Sequence, residues 1–310
     1  MIAVKNITKR FDKKAALENI SCTIPDGRIY GLVGSNGAGK STLLRLLTGI
    51  YKPDSGEIGY DGLAVYEAPE VKEQIVFISD DLYFLPQSNM ERMAKLYAVC
   101  YKGFDNEYFR ELAAKFRLDP RASIGTFSKG MKRQAAMILA LACRTKYIFL
   151  DETLDGLDPM MRSFVKTVVR GEMTSRGATA VITSHSLREL EDTCDQLAML
   201  HDGGIVFESD IKNLKTTFFK IQVSFGYDYD ASLFRDINVR SFTKVGSVAN
   251  LVVGGDREQI QAMIKNLNPL LMEVLPLSLE EVFVHEMSAH GYALDVSILA
   301  QEEGGHENVQ

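Results

Sequence analysis

The stretch Gly34-Ser35-Asn36-Gly37-Ala38-Gly39-Lys40-Ser41 constrains what this chain can fold into more than any other. It fits the spacing G-x-x-x-x-G-K-[ST], leaves an apolar run from Ile29 to Val33, and enters a helical pattern over about Lys40 to Leu47. Glycines let successive backbone N–H groups turn inward around an anion, and the positive end of the next helix points at the same place. Lys40 then reaches the β- and γ-phosphates of a nucleotide. The Ser41 hydroxyl is offered to Mg²⁺, which takes oxygen ligands. A strand, a glycine loop and a helix in this order predict an α/β core that binds a nucleoside triphosphate.

A second pattern supports the first. Tyr147-Ile148-Phe149-Leu150-Asp151-Glu152 is a short apolar strand ending in two acids, at the carboxyl edge where open α/β sheets bind ligands. Beside a phosphate loop, one carboxylate can hold Mg²⁺ and the next can orient and deprotonate water. That assigns the metal to Asp151 and the water to Glu152. The strand Ala178 to Thr183 ends on the same edge and delivers Ser184-His185, so His185 can donate a hydrogen bond to the γ-phosphate.

The bulk properties narrow the function. With 310 residues, 46% of them hydrophobic, the chain suits about two domains. A net charge of −6 and no basic stripe argue against a protein that binds nucleic acid by neutralising phosphates. Cys22, Cys100, Cys143 and Cys194 are far apart and suggest neither a zinc site nor a disulfide framework. The N-terminus does not read as a signal peptide, and the longest apolar run, Ala135 to Cys143, falls short of the ~18 residues of a membrane span. A cytosolic protein is expected, and any membrane-spanning part should belong to another chain.

Along the chain, Ile2 to Ile7 and Leu17 to Ile24 read as strands of an antiparallel subdomain, with Phe11 between them. By position alone Phe11 reads as core. Glu57 to Asp61 reads as a short edge strand. From about 82 to 134 apolar positions recur at helical spacing, which predicts a helical insertion. Ser128 opens a long amphipathic helix, and Asp158-Pro159 is a good start for another that ends at Gly177. The first domain should end near 215. From 216 to about 290 the pattern restarts as a small α+β unit: strands at Phe219 to Phe225, Val248 to Val253 and Leu271 to Leu275, and helices at Arg257 to Leu267 and Leu279 to Met287. Residues 291–310 form a tail, polar at its end, with the composition of a disordered segment.

These parts together resemble the ATP-binding subunits of ABC transporters. The family's phosphate loop matches Gly34 to Thr42, its acidic strand Tyr147 to Glu152, its aspartate loop Leu154 to Pro159, including Asp158, and its switch histidine His185. Its signature segment appears as Phe127-Ser128-Lys129-Gly130-Met131 in place of Leu-Ser-Gly-Gly-Gln. Ser128 and Gly130 are kept, and the resemblance implies that they contact the γ-phosphate held by a second copy. Asp80 stands where the family carries a glutamine, and it can ligate metal through water. Thr153 replaces the family's proline. The resemblance also makes Phe11 the platform for the adenine. The ending Leu277-Ser278-Leu279-Glu280-Glu281-Val282-Phe283 and the stretch Ile78 to Tyr83 look like bacterial drug- and antibiotic-response exporter ATPases.

The resemblance implies a P-loop NTPase core that binds and hydrolyses ATP with Mg²⁺. It further implies a partner copy, a homodimer being simpler than a heterodimer, and a separate multispanning membrane subunit, with no nucleic acid. Tyr83, Phe84 and Leu85 are the apolar candidates for docking that subunit, with core packing as their bland reading. Two alternatives stay open at this stage: a soluble ATPase of the same fold acting on ribosomes or DNA, and a degenerate regulatory subunit that binds ATP without hydrolysing it.

Overall fold

The computed structural model describes residues 1–154, 157–213, 218–275 and 277–281. Contacts divide the chain into two units, Met1–Glu208 and Ser209–Gln310, so the division falls after Glu208 rather than near 215.

In the first unit, β3 (Ile29–Val33), β7 (Tyr147–Asp151) and β8 (Thr179–Ser184) are buried along their whole length. Strands covered on both faces need such unbroken runs, and these pair in parallel. With β6 (Ile75–Ile78), β9 (Gln196–His201) and β10 (Gly204–Asp210) they form a six-stranded sheet in the order β10-β9-β3-β8-β7-β6. The second layer is antiparallel, with β1 (Ile2–Phe11), β2 (Lys14–Ile24), β4 (Ser55–Tyr60) and the two-residue β5 (Leu63–Ala64) in the order β2-β1-β4-β5. The expected edge strand is therefore interior: β4 pairs with β1 on one side and β5 on the other.

Helix α1 (Lys40–Leu47) fastens the two layers together. Leu43, Leu44, Leu46 and Leu47 are fully buried in one cluster with Ile2, Ile7 and Leu17 from the antiparallel sheet and Leu32, Phe149 and Val181 from the parallel one. At ~1.5–3 kcal/mol for each buried leucine, this packing fixes the helix, and with it the loop that the helix ends.

A short α2 (Pro69–Lys72) precedes β6. The helical region holds α3 (Met90–Cys100), α4 (Asn106–Lys115) and α5 (Lys129–Ala142), capped by the side chains of Asn89, Asp105 and Ser128. Helix α5 leaves the expected insertion and enters the core. Its second half, Ala135 to Ala142, is buried on every face rather than amphipathic, which is why the run is so apolar. Helix α6 (Pro159–Arg176) begins at the Asp158 cap and stops at Gly177, which is left-handed (φ +66°). Helix α7 (Leu187–Glu191) follows β8.

The second unit is a four-stranded antiparallel sheet of β11 (Phe218–Ser224), β12 (Val239–Val245), β13 (Val248–Gly254) and β14 (Leu271–Leu275), in the order β12-β13-β11-β14. Helix α8 (Arg257–Lys265) and a 3₁₀ turn at Ala231–Phe234 bury Ile260, Ile264 and Phe234 against Phe219, Ile221, Val223 and Leu251. The strand β12 is an addition to the sequence reading. It is an edge strand with no fully buried position, so it lacks the apolar run that marks β11 and β13. Of the helix expected from Leu279 to Met287, only Leu279 to Glu281 falls within the described residues, and the tail 291–310 lies outside them.

Candidate nucleotide site

The loop between β3 and α1 can take its shape only with glycine at its bends. A Cβ on Gly34 would stand 2.4 Å from the Leu200 carbonyl oxygen, and one on Gly39 would stand 2.7 Å from that of Ala16. Gly37 and Gly39 also adopt φ of +84° and +108°, a region that side chains disfavour. Gly39 opens α1 without a side-chain cap, and no acid occupies the first turn. The helix thus carries no acid of its own against its positive end, which suits an anion site.

Lys40 is only 4% exposed. Its Nζ donates to the Gly34 carbonyl at 2.8 Å and the Ser35 carbonyl at 3.2 Å, and lies 3.4 Å from Glu152 Oε1. Asn36, Gly37, Gly39, Lys40, Ser41, Thr42, Ala16 and Glu152 line a cleft of about 150 Å³ here, with Ala38 buried behind them.

Beneath the loop, the two acids are held by a hydroxyl that the sequence reading missed. Asp151, 1% exposed, accepts hydrogen bonds on Oδ1 from Ser41 Oγ at 3.1 Å and from Thr183 Oγ1 at 2.7 Å. The same Thr183 oxygen accepts the Glu152 backbone N–H at 2.9 Å. The strand register puts Thr183 opposite Asp151, so a polar residue inside an apolar strand was the available signal. Glu152 itself is left-handed, with φ +47°, a conformation that costs a side-chain-bearing residue roughly 1–2 kcal/mol unless neighbours hold it. Arg133 of α5 holds the other side: Nη1 donates to the Glu152 carbonyl oxygen, and Nη2 donates to Asp80 Oδ1 at 2.7 Å.

Ser41 and Asp151 offer adjacent hard oxygens, the donor type that Mg²⁺ prefers. Among the described residues no cluster of three or more His, Cys, Asp or Glu is gathered for a metal. A cation here would therefore share its coordination with phosphate oxygens and water.

The remaining expected residues fall at varying distances from this cleft. Asp80, expected at the metal, has its carboxylate on Arg133. His185 is exposed immediately after β8, on a turn fixed by Ser184 Oγ, which donates to Glu189 at 2.7 Å while Arg162 pairs with Glu189 from the other side at 2.7 Å. Phe11 is not core: it is 44% exposed at the tip of the β1-β2 hairpin that also carries Ala16, edge-on to Tyr51 with centroids 5.5 Å apart. Ser128 caps α5, accepting the Met131 N–H at 3.2 Å, and Lys129 beside it is exposed. Ser128 and Gly130 do not belong to the lining of the Lys40 cleft in their own chain. Asp158 caps α6 through the Met161 N–H at 3.0 Å, while Asp155 and Gly156 of the aspartate loop lie outside the described residues. Tyr83 is 78% exposed, whereas Phe84 and Leu85 are half-buried.

A glycine loop closed on a buried lysine, over an Asp-Glu pair at the carboxyl edge of a parallel sheet, defines a P-loop ATPase cassette. The pattern of the ABC transporter family matches residues 17–155. The ABC transporter ATP-binding protein YtrB of Bacillus subtilis is 31% identical over 284 residues, spanning 92% of this chain and 97% of its own. The Nod factor export ATP-binding protein I of Burkholderia lata is 30% identical over 292 residues, spanning 91% and 95%. The linearmycin resistance ATP-binding protein LnrL of Bacillus subtilis is 30% identical over 213 residues, spanning 66% and 68%. Among solved structures, an ATP-binding subunit of an ABC transporter superposes with a TM-score of 0.64 at 25% identity, covering 69% of this chain and 92% of that one. A dimeric bacterial ABC transporter cassette shares the fold, with a TM-score of 0.63 over 68% and 99%.

The chain belongs to the ATP-binding proteins of ABC transporters, the cassettes that bind and hydrolyse ATP to power transport. The alternatives of a ribosomal or DNA-directed ATPase and of a non-hydrolysing subunit find no support among these relatives. Among the described residues no helix is long and apolar enough to cross a membrane.

Proposed function

We propose that two copies of this chain close head to tail around two ATP molecules and drive an exporter formed with a separate multispanning membrane subunit. The observation that carries the reading is the hydrogen-bonded set Ser41, Asp151, Thr183 and Glu152 beneath one phosphate loop, which supports Ser41 and Asp151 as metal ligands and Glu152 as general base. A cleft of about 150 Å³ is smaller than the ~300–1,000 Å³ of a self-sufficient small-molecule site, which favours completion by a second copy.

In this reading the backbone from Gly34 to Gly39, with Lys40, Ser41 and Thr42, grips the phosphates. Incoming phosphate oxygens displace the Gly34, Ser35 and Glu152 contacts of Lys40, releasing the Glu152 carboxylate towards water. Phe11 gives the adenine an exposed aromatic face. The partner copy's signature segment, equivalent to Ser128 and Gly130, closes over the γ-phosphate, and Asp158 fixes the start of the helix after the aspartate loop. Glu152 takes the proton of the attacking water while His185 donates to the γ-phosphate. Ser41 and Asp151 would hold Mg²⁺, which would supply charge neutralisation at the phosphates when bound.

Export is favoured over import by relatives named for Nod factor export and linearmycin resistance. Such an assembly puts this chain at the cytoplasmic face of the membrane, with Tyr83, 78% exposed just before the helical region, as its candidate apolar contact. Glu152→Gln tests the site. Loss of general-base catalysis lowers turnover by about 10²–10⁴-fold with ATP affinity kept. Turnover within about twofold of the parent would remove Glu152 from the role.

A further inference from the structure

We infer that Arg133 is a positioning residue for hydrolysis, and that Asp80 acts as its counter-ion rather than as a metal ligand. The inference rests on the reading of Glu152 as the general base.

Glu152 occupies a left-handed backbone conformation that its own side chain disfavours, so its neighbours must hold it. Two groups do so from opposite ends of the residue. Thr183 takes the N–H, and Arg133 Nη1 gives a hydrogen bond to the carbonyl oxygen. The guanidinium is a rigid fork, and its second arm is fixed by Asp80 Oδ1 at 2.7 Å. The Arg133 side chain is 19% exposed, while that of Asp80 is 52% exposed. One planar group therefore ties three elements together: helix α5 behind Ser128, the loop after β6, and the end of β7 that carries the base. Asp80 aims the fork, and the fork aims Glu152. A neutral glutamine at position 80 would supply no charge for such a pair, so the aspartate and the arginine make one device.

The test is a double-mutant cycle on ATP turnover by the full chain, with ATP affinity and Mg²⁺ half-saturation measured on each variant. Arg133→Met is expected to lower kcat about tenfold or more while the Kd for ATP moves less than about twofold. Arg133→Lys keeps the charge but not the fork and recovers only part of that loss. Asp80→Asn lowers kcat by a smaller factor, about threefold, and has no further effect once Arg133→Met is present. Its Mg²⁺ half-saturation stays at the parent value.

Additive effects of the two substitutions would overturn the inference. So would a several-fold rise in Mg²⁺ requirement for Asp80→Asn alone, which would return Asp80 to the metal. Thermal unfolding of Arg133→Lys beside Arg133→Met separates a folding defect from a positioning one. If Glu152→Gln leaves turnover intact, the assignment of the base itself fails; if Glu152→Gln is inactive and the cycle is additive, only the role of Arg133 fails.

Discussion

Thr183→Val removes one hydroxyl without changing the shape of the side chain, and it strikes both acids at once. Thr183 is fully buried, donating to the Asp151 carboxylate at 2.7 Å and accepting the Glu152 N–H at 2.9 Å. A hydrogen bond to a charged group contributes ~1.5–3 kcal/mol, and a buried N–H left without a partner costs ~1–3 kcal/mol. Together the substitution should destabilise the first unit by about 3–5 kcal/mol. At ~2–4 °C per kcal/mol for a domain of this size, its Tm falls on the order of 10 °C.

Thr183→Ser keeps the hydroxyl and loses one methyl, worth ~1 kcal/mol, so its Tm should fall by only a few degrees. Calorimetry gives the two Tm values, a fluorescent ATP analogue gives affinity, and phosphate release gives turnover. The valine variant should also turn over ATP about tenfold more slowly or worse than the serine variant, since Glu152 loses one of its two backbone anchors. Equal Tm and equal turnover for the two variants would refute the claim that this hydroxyl organises the acids.

Three further outcomes follow from other parts of the molecule. Gly34→Ala should abolish detectable ATP binding, because the added Cβ meets backbone at Leu200 rather than a side chain that can swing away; equilibrium titration with labelled ATP checks this. Glu172, 3% exposed, accepts from Arg144 at 2.8 Å, from Arg176 and from Tyr108, tying α4 to α6; Glu172→Gln leaves two guanidinium groups without their buried counter-ion and should cost about 3–5 kcal/mol in a denaturant titration. Burial, reinforced by the charge of Glu208, pushes the Cys22 thiol up to about 12, and burial raises Cys143 and Cys194 as well, whereas Cys100 is exposed. Since only the thiolate reacts, iodoacetamide at pH 8 should give one rapid adduct on the folded protein and four after unfolding, counted by mass spectrometry.

What the sequence made legible was local. The phosphate loop, its flanking strand and helix, and the Asp151-Glu152 pair are contiguous patterns whose chemistry depends on neighbours a few residues away. Thr183 and Arg133 act across strand pairing and helix packing: a polar residue inside an apolar strand was the one signal for Thr183, and nothing in its own surroundings marks Arg133. Phe11 differs again: by position alone an aromatic at the end of a strand reads as core, and only the hairpin shows it 44% exposed, as the family resemblance implied it could be. Asp80 was placed by counting along the chain, yet its partner is set by α5, which the count cannot see. In the second unit, β11 and β13 declare themselves by buried runs, while β12 relies on its partner strand for definition.

The most direct test of the account is the mass of the Glu152→Gln protein by light scattering, with and without Mg-ATP. Closure of two copies around retained ATP predicts twice the 34.5 kDa of one chain with nucleotide present, one chain without it, and return to one chain when Ser128→Arg is added. A single chain that binds ATP tightly and stays at 34.5 kDa would contradict the claim that the site is completed by a second copy.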